Sequence, residues 1–376
     1  MSRRLTAPLI LFLIAASCLA AGELDPQLRM VEQIRGRKFV TGVKNVTIDR
    51  SELPKRLEEQ MKKELPYSTE DWITILRSLQ LVERDTKDVL PKLIALYESQ
   101  VLAYYDPKSH TYYSIKQLPK LDSELPIDPK MLEESVVIHE LMHALQDQHW
   151  NIGEKTEKLK REGDAAMAYH ALLEGEASFV MMAHLLGKMG VPIDELVKND
   201  AMLAGMASAA ASQAMASGSD TPKYFTESLG FPYLKGLEFV IAAYKRGGWK
   251  ELDKVHANPP KTTREILHPE EYFEKKVKHA ELPLKNWQSD LPGLISVERL
   301  GEFHWTYLLG KDAARGLTGD RVAVAKNGAV VAETVWETPE RAKIFADAYT
   351  TFLKGRGLDP KVTQDGATVR ASYVAR

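Results

Sequence analysis

Apolar and polar residues along the first third of the chain predict a charged helical region followed by a β-hairpin. Residues 23–100 are mostly helical in pattern, with one short strand-like run at 44–48. Residues 101–105 and 110–115 are rich in β-forming residues and flank a turn of Asp, Pro, Lys and Ser. This order of strand, turn and strand predicts a hairpin.

The middle of the chain is predicted to be helical. A Pro-containing loop at 118–128 is followed by a stretch without Gly or Pro from Lys130 to Asn151, with Asp128 and Pro129 as its N-cap and first residue. A second helix is predicted at 164–186, and a third at 231–246 that ends at two consecutive glycines. Residues 199–217 are rich in Ala, Met and Ser, which indicates a close-packed or mobile surface helix.

The pattern changes after Pro292 to one typical of a small α+β unit. Asn327 and Gly328 form the strongest hairpin signal in the chain. The elements predicted in this part are helices at 302–315 and 339–354 and strands at 321–325, 329–336 and 368–374. The fold class is therefore α+β, and we place the domain boundary at residues 290 and 291.

Length and charge narrow the class of protein. The 376 residues, 44% of them hydrophobic, suffice for one large or two ordinary domains. The net charge of −2 argues against binding to nucleic acid and gives no general attraction to anionic membranes.

The N-terminus has the pattern of a targeting segment. Arg3 and Arg4 precede an apolar run at 7–16, and small residues follow. A signal peptide over 1–21 would place the protein outside the cell or in the envelope or periplasm. Cys18 is the only cysteine, and an alternative is that it is lipidated and retained. Membrane attachment is expected only in that case.

The sequence His139-Glu140-Leu-Met-His143 predicts a zinc site. On a helix the two histidines lie one turn apart on one face and can bind one metal ion. Glu140 lies about 100° around the helix and can act as general base towards a water that the zinc acidifies. Apolar residues surround the motif, so a buried histidine pair there needs a reason, and a metal is preferred to a purely structural pair.

A catalytic zinc usually has three protein ligands, and three residues compete to be the third. His149 has metzincin spacing, but Gln146 stands where the metzincin glycine turns the chain, so His149 should point away from His143. Glu174 and Glu176 are two residues apart and cannot both face the ion. Small residues surround Glu174, and such a stripe would allow two helices to approach closely, so Glu174 is preferred.

The motif and the Glu174-Gly-Glu-Ala segment resemble the gluzincins, the thermolysin-like metallopeptidase clan. The resemblance implies a mainly helical, zincin-like catalytic domain over residues 22–290, with a helical part at 22–100 and a small sheet or edge hairpin. It implies zinc held by His139, His143 and Glu174. Many gluzincins carry Asp four residues after the glutamate, where this chain has Ser178, and Asp147 is expected to replace that contact.

Most of residues 28–350 also resembles a group of secreted bacterial and archaeal proteins that carry the same motif. The resemblance implies a peptidase-like fold and brings no substrate. The matching segments are residues 98–107, 139–150, 231–233, 266–269 and 335–339.

Gluzincins use a downstream Tyr or His to stabilise the oxyanion that forms during attack. Tyr233, expected at a helix start, and His268, which precedes Pro269, are the candidates here, and spacing selects neither. Tyr233 is equally well explained as an ordinary core aromatic, and His268 is equally well explained as a helix cap.

The sequence therefore predicts a secreted zinc metallopeptidase that acts on an extended peptide or protein, with the hairpin at 101–115 as the sheet edge beside the cleft. One alternative is a non-enzymatic envelope protein with a structural zinc. The intact Glu140 argues against it, because a structural site has no use for a base. Another alternative is the same hydrolytic chemistry on a substrate that is not a peptide.

Overall fold

The computed structural model describes residues 24–64, 67–116, 129–160, 162–199, 221–282, 287 and 291–375. The predicted α+β class is confirmed, with a mainly helical part and two small sheets. The predicted signal segment with Cys18, the loop at 118–128 and residues 200–217 lie outside the described residues. None of the described helices combines the length and apolar character needed to cross a bilayer.

The elements of the N-terminal and middle parts are as follows. The helices are α1 (Asp25–Arg35), α2 (Leu53–Glu64), α3 (Thr69–Ser78), α4 (Val89–Gln100), α5 (Pro129–Trp150), α6 (Ile152–Leu159), α7 (Gly163–Lys188), α8 (Ile193–Lys198), α9 (Lys223–Ala257), α10 (Thr263–Leu267) and α11 (Pro269–Phe273). The strands are β1 (Lys44–Ile48), β2 (Ala103–Asp106) and β3 (Thr111–Ile115).

The C-terminal part contributes the remaining elements. They are β4 (Leu294–Glu298), α12 (Gly301–Leu309), α13 (Lys311–Ala314), β5 (Leu317–Ala325), β6 (Ala329–Trp336), α14 (Pro339–Gly355), β7 (Lys361–Asp365) and β8 (Thr368–Val374).

The predicted hairpin forms, but only one of its strands is an edge. Strands β2 and β3 pair antiparallel, and Tyr104 stacks on Tyr113 with ring centroids 4.8 Å apart. Strand β1 pairs with β3 in parallel on the other side, which gives the order β1-β3-β2. The prediction that 111–115 could serve as an edge is therefore wrong, because the distant run at 44–48 covers it. Among the described strands of this sheet, β1 and β2 are the edges, and β2 is the edge strand of the hairpin.

Helices α5, α7 and α9 form the layer that carries the candidate site. Helices α7 and α9 cross closely at two glycines: a Cβ on Gly175 would lie 2.2 Å from the carbonyl of Gly236, and one on Gly236 would lie 1.9 Å from the Ala171 carbonyl oxygen. The small residue Ala171 thus serves the contact with α9, whereas Ala177 packs in the same cluster as the apolar residues of α5. The stripe of small residues around Glu174 is shared between two neighbouring helices.

Helix α9 begins earlier than predicted, whereas the predicted end at two glycines is confirmed as a break in the helix. It begins eight residues before the predicted start at 231, and Pro232 lies inside it. It is kinked at the two glycines where an end was predicted, and Gly248 has φ 62°, a conformation that favours glycine. The helix resumes after the kink and reaches Ala257.

The five-stranded sheet is antiparallel throughout, with the order β4-β5-β6-β8-β7. The hairpin around Asn327 and Gly328, the helix at 339–354 and the strand at 368–374 are confirmed. The single helix predicted at 302–315 is wrong, because Gly310 adopts φ 87° and ends α12 before α13 begins.

One face of this sheet shares a hydrophobic core with helices from the start of the chain. Leu57 and Ile75 belong to the same buried cluster as Val324 of β5 and Phe345 of α14. The Tyr373 hydroxyl donates to the backbone oxygen of Ser78 at 2.9 Å. Helices α2 and α3 therefore pack against the C-terminal sheet, and the division at residue 290 stays a prediction.

Candidate metal centre

Helix α5 carries the His-Glu-x-x-His motif without interruption. The rings of His139 and His143 face each other edge-on, with centroids 4.9 Å apart, as expected for positions one turn apart. His139, Glu140 and His143 are at most 4% exposed. The helix continues straight through Gln146 to Trp150, so its last turn carries His149 away from the pair, as predicted.

Three ligand atoms converge at this point. The Nε2 atoms of His139 and His143 lie 3.2 Å apart. Glu174 Oε2, from α7, lies 3.3 Å from the first and 3.1 Å from the second. Two atoms bonded at about 2.0–2.1 Å to one tetrahedral zinc ion are separated by roughly 3.3 Å. The mutual spacing of the three atoms therefore fits zinc, and these residues form the one group of metal-binding type found in the described part of the chain.

The structure separates the two glutamates of α7 as the helical period requires. Glu174 faces the histidines and also accepts a hydrogen bond from His170 Nε2 at 3.0 Å. Glu176 faces the opposite way and pairs with Arg35 and His256. Both carboxylates are fully buried, so the neighbouring groups decide what each one can bind.

The electrostatics of the site are dominated by burial and by Glu174. Burial favours the neutral acid, but His143, His139 and His170 outweigh it and hold the pKa of Glu174 well below its usual value. Burial opposes protonation of His143 as well, yet the Glu174 carboxylate raises the pKa of His143 to about 9. Burial lowers the pKa of His139 and raises the pKa of Glu140 to about 8. The centre therefore favours positive charge beside Glu174.

Gln146, and not Asp147, contacts the motif histidine. His143 Nδ1 lies 2.9 Å from Gln146 Oε1. Asp147 Oδ2 instead accepts from the Tyr105 hydroxyl at 2.9 Å and contacts His110 Nδ1 at 2.7 Å. The expectation that Asp147 supports the metal site directly is wrong, because its position on α5 faces the hairpin. It fixes the hairpin to the motif helix.

The general-base candidate faces the edge of the sheet. The backbone N–H of Tyr105, on β2, donates to Glu140 Oε2 at 2.9 Å. Glu140 Oε1 is buried and has no hydrogen-bond partner among the described residues. A small cavity lies beside it. Its lining consists of Tyr104, Tyr105, Pro107, Glu140, His143, Ile152, Thr156 and Leu173. One carboxylate oxygen is thus held by the strand while the other is available for a proton.

Of the two oxyanion candidates, Tyr233 lies beside the motif histidines. The Tyr233 ring stacks on His139 with centroids 6.3 Å apart. Burial and the nearby carboxylates of Glu174 and Glu140 hold the pKa of Tyr233 well above its usual value, so the phenol keeps its proton. Tyr233 lies in the interior of α9, not at the helix start that was expected.

The other two candidate residues lie away from the triad. His268 contacts Glu302 at 2.6 Å, beside the ion pairs of Arg264. It stands between α10 and α11 and does not join the ligand group. His149 contacts the backbone oxygen of Lys38 at 2.7 Å. The structure thus brings Tyr233 to the site and leaves His268 and His149 outside it.

Two supporting residues were missed in the sequence. His170 lies four residues before Glu174, and Gln146 three residues after His143, and both spacings put the partners on one helix face. These spacings are visible in the sequence once the ligands are chosen. The sequence alone marks Gln146 only as a departure from the metzincin pattern, and it gives His170 no role.

A family model described as a domain of unknown function (DUF8575) matches residues 280–375. This region contains the five-stranded sheet and helices α12 to α14, and it includes none of the residues of the candidate metal centre. A comparison with curated proteins and a comparison with solved structures each found no match.

Proposed function

We propose that this chain is a secreted zinc-dependent hydrolase that cleaves peptide bonds. The observation that carries the proposal is the convergence of His139, His143 and Glu174 beside Glu140. Two imidazoles and one carboxylate are the donor set of many catalytic zinc sites, which keep a fourth position open. Bound there, zinc would acidify a water molecule and polarise the substrate carbonyl.

Glu140 is proposed as the general base. Its Oε2 is held by the Tyr105 N–H, which leaves Oε1 to take the proton of the attacking water and to deliver it to the leaving amine. Tyr233 is proposed to donate from its hydroxyl to the oxyanion, because it keeps its proton and lies beside His139.

The edge strand β2 is proposed to hold the substrate. A carbonyl can be attacked only if the peptide is held extended and fixed beside the site, and an exposed strand edge does this by backbone pairing. Strand β2 packs against the motif helix and is one of the two edge strands of its sheet among the described residues, the other being β1. Strand β3 is not proposed as the substrate-binding strand, because it lies in the centre of its sheet.

A structural zinc site is the second candidate, and the burial of all three ligands favours it. A structural site, however, is closed by a fourth protein ligand. Within the described residues the group holds three ligands only. Glu140 would have no function in such a site, so we prefer the enzyme.

The test is Glu140→Gln, with Glu133→Gln on the same helix as the matched control. Zinc content and hydrolysis of a mixed peptide library, with and without a chelator, would be measured for both. Glu140→Gln should keep one zinc per chain and lose about 100-fold or more in turnover, whereas the control keeps both. Equal turnover in the two variants would contradict the proposed role of Glu140.

A further inference from the structure

A continuous chain of hydrogen bonds runs from His143 to the N-terminal helix. His143 Nδ1 contacts Gln146 Oε1 at 2.9 Å, and Gln146 Nε2 donates to Glu176 Oε2 at 2.8 Å. Glu176 Oε1 accepts from Arg35 Nε, on α1, at 2.7 Å. The proposed mechanism uses none of the last three residues.

The direction of these hydrogen bonds is fixed at the Gln146 amide. Its Nε2 lies 3.0 Å from the backbone oxygen of Leu173, which can only accept. The amide nitrogen must therefore face α7, and the amide oxygen must face His143. Because that oxygen can only accept, the proton of the His143 ring must lie on Nδ1. The lone pair of Nε2 is then directed at the point where His139 and Glu174 converge.

Several contacts hold Arg35 and Glu176, which lie at the far end of this series of hydrogen bonds. Arg35 and Glu176 are each at most 1% exposed, and His256 Nε2 donates to Glu176 Oε2 at 2.6 Å. The Arg35 guanidinium lies between Trp150 and Trp249, 5.3 and 4.9 Å from their ring centroids. Buried charges of this kind are retained where each is paired and hydrogen-bonded, so this anchor holds Gln146 in one rotamer.

We propose that Gln146 is a positioning residue that fixes the tautomer and ring orientation of His143, and that Glu176 and Arg35 hold Gln146 in place for this task. The inference rests on the proposed metal site and extends it to helix α1, which sequence analysis left without a role. Partners that orient a metal-bound histidine typically change metal affinity 10–100-fold when they are removed.

The test compares Gln146→Leu with Gln148→Leu. Gln148 is the matched control, because it lies on the same helix and its amide also makes backbone hydrogen bonds, to residues 40 and 41, far from His143. Zinc dissociation constants would be measured by competition with a chelator. We expect zinc affinity to fall 10–100-fold in Gln146→Leu and to stay within about threefold of wild type in Gln148→Leu. A folded Gln146→Leu protein with wild-type zinc affinity would overturn the inference.

A second measurement is made on the wild type and uses a variant only to assign the signal. Nitrogen-15 NMR of histidine-labelled wild type, with His143→Gln for assignment, reports which ring nitrogen carries the proton. We expect a proton on Nδ1 of His143 in both the zinc-loaded and the metal-free protein. A bare Nδ1 would refute the inference even if zinc binds. If the wild type binds no zinc, the proposed function fails, and the spectrum of the metal-free protein at a pH where the His143 ring is neutral still decides which of its nitrogens carries the proton.

Discussion

The close crossing of α7 and α9 makes Gly236→Ala an informative perturbation. The new Cβ would lie 1.9 Å from the Ala171 carbonyl oxygen, whereas real Cβ atoms essentially never approach within 3.0 Å. The two helices must therefore separate locally by about 1.1 Å, the difference between these distances. Overpacking of this kind typically costs about 1–3 kcal/mol of stability.

The displacement should reach the site through Tyr233, which lies three residues before Gly236 on the same helix. Helix α7 packs against α5 through Ala177 and Val180, so we expect α9 to take up the displacement and the proposed ligands on α5 and α7 to keep zinc bound. A misplacement of a catalytic group by about 1 Å can cost roughly 100-fold in rate. We therefore expect turnover to fall by up to about 100-fold while zinc remains bound.

Gly230→Ala is the matched control in the same helix. A Cβ on Gly230 would meet only the Leu234 Cδ1 atom, at 3.9 Å. Replacing a helical glycine with alanine in open space should raise the free energy of unfolding by about 0.5–1 kcal/mol. Urea unfolding, zinc titration and turnover would be measured for both variants. If Gly236→Ala matches Gly230→Ala in all three, the close helix crossing is not what positions Tyr233.

Three further predictions concern single side chains. Tyr233→Phe should keep zinc and lose about 10²–10³-fold in kcat, as expected for the loss of one oxyanion donor, and unchanged kcat would remove Tyr233 from the mechanism. Glu174→Ala should weaken zinc binding far more than His149→Ala in a chelator competition, and the reverse order would support metzincin-type ligation. Burial and the nearby Asp320 carboxylate raise the pKa of Asp164 from 3.8 to about 7, so the folded protein holds a proton that the unfolded chain releases between these values. The contribution of Asp164 to the free energy of unfolding should therefore fall as pH rises from about 4 to 7. Urea unfolding of Asp164→Asn should lack that fall. An identical pH dependence in both proteins would mean that Asp164 is ionised in the folded protein.

Local signals in the sequence were sufficient for the motif helix, the C-terminal hairpin and the choice of Glu174 over Glu176. Each depends on a short-range rule: helical spacing, the Asn327-Gly328 turn, or the small residues that surround Glu174 on one helix face. Gln146 was read correctly as a residue that lets the helix continue past His143.

The predictions that the structure contradicts depend on contacts between residues that are distant in the sequence. Strand β3 became a central strand because residues 44–48, more than sixty positions earlier, pair with it. Asp147 faces the hairpin because Tyr105 and His110 offer it donors there. The connection from Gln146 through Glu176 to Arg35 spans 141 positions along the chain, and no local pattern predicts it.

The most direct test of the account is anomalous diffraction at the zinc absorption edge from crystals of zinc-loaded protein. We expect one strong peak per chain, about 2.0–2.2 Å from Nε2 of His139, Nε2 of His143 and a carboxylate oxygen of Glu174, with no fourth protein ligand. Three results would contradict the proposed site: a zinc ion bound by other residues, a fourth protein ligand that closes the site, or no peak from crystals soaked in saturating zinc.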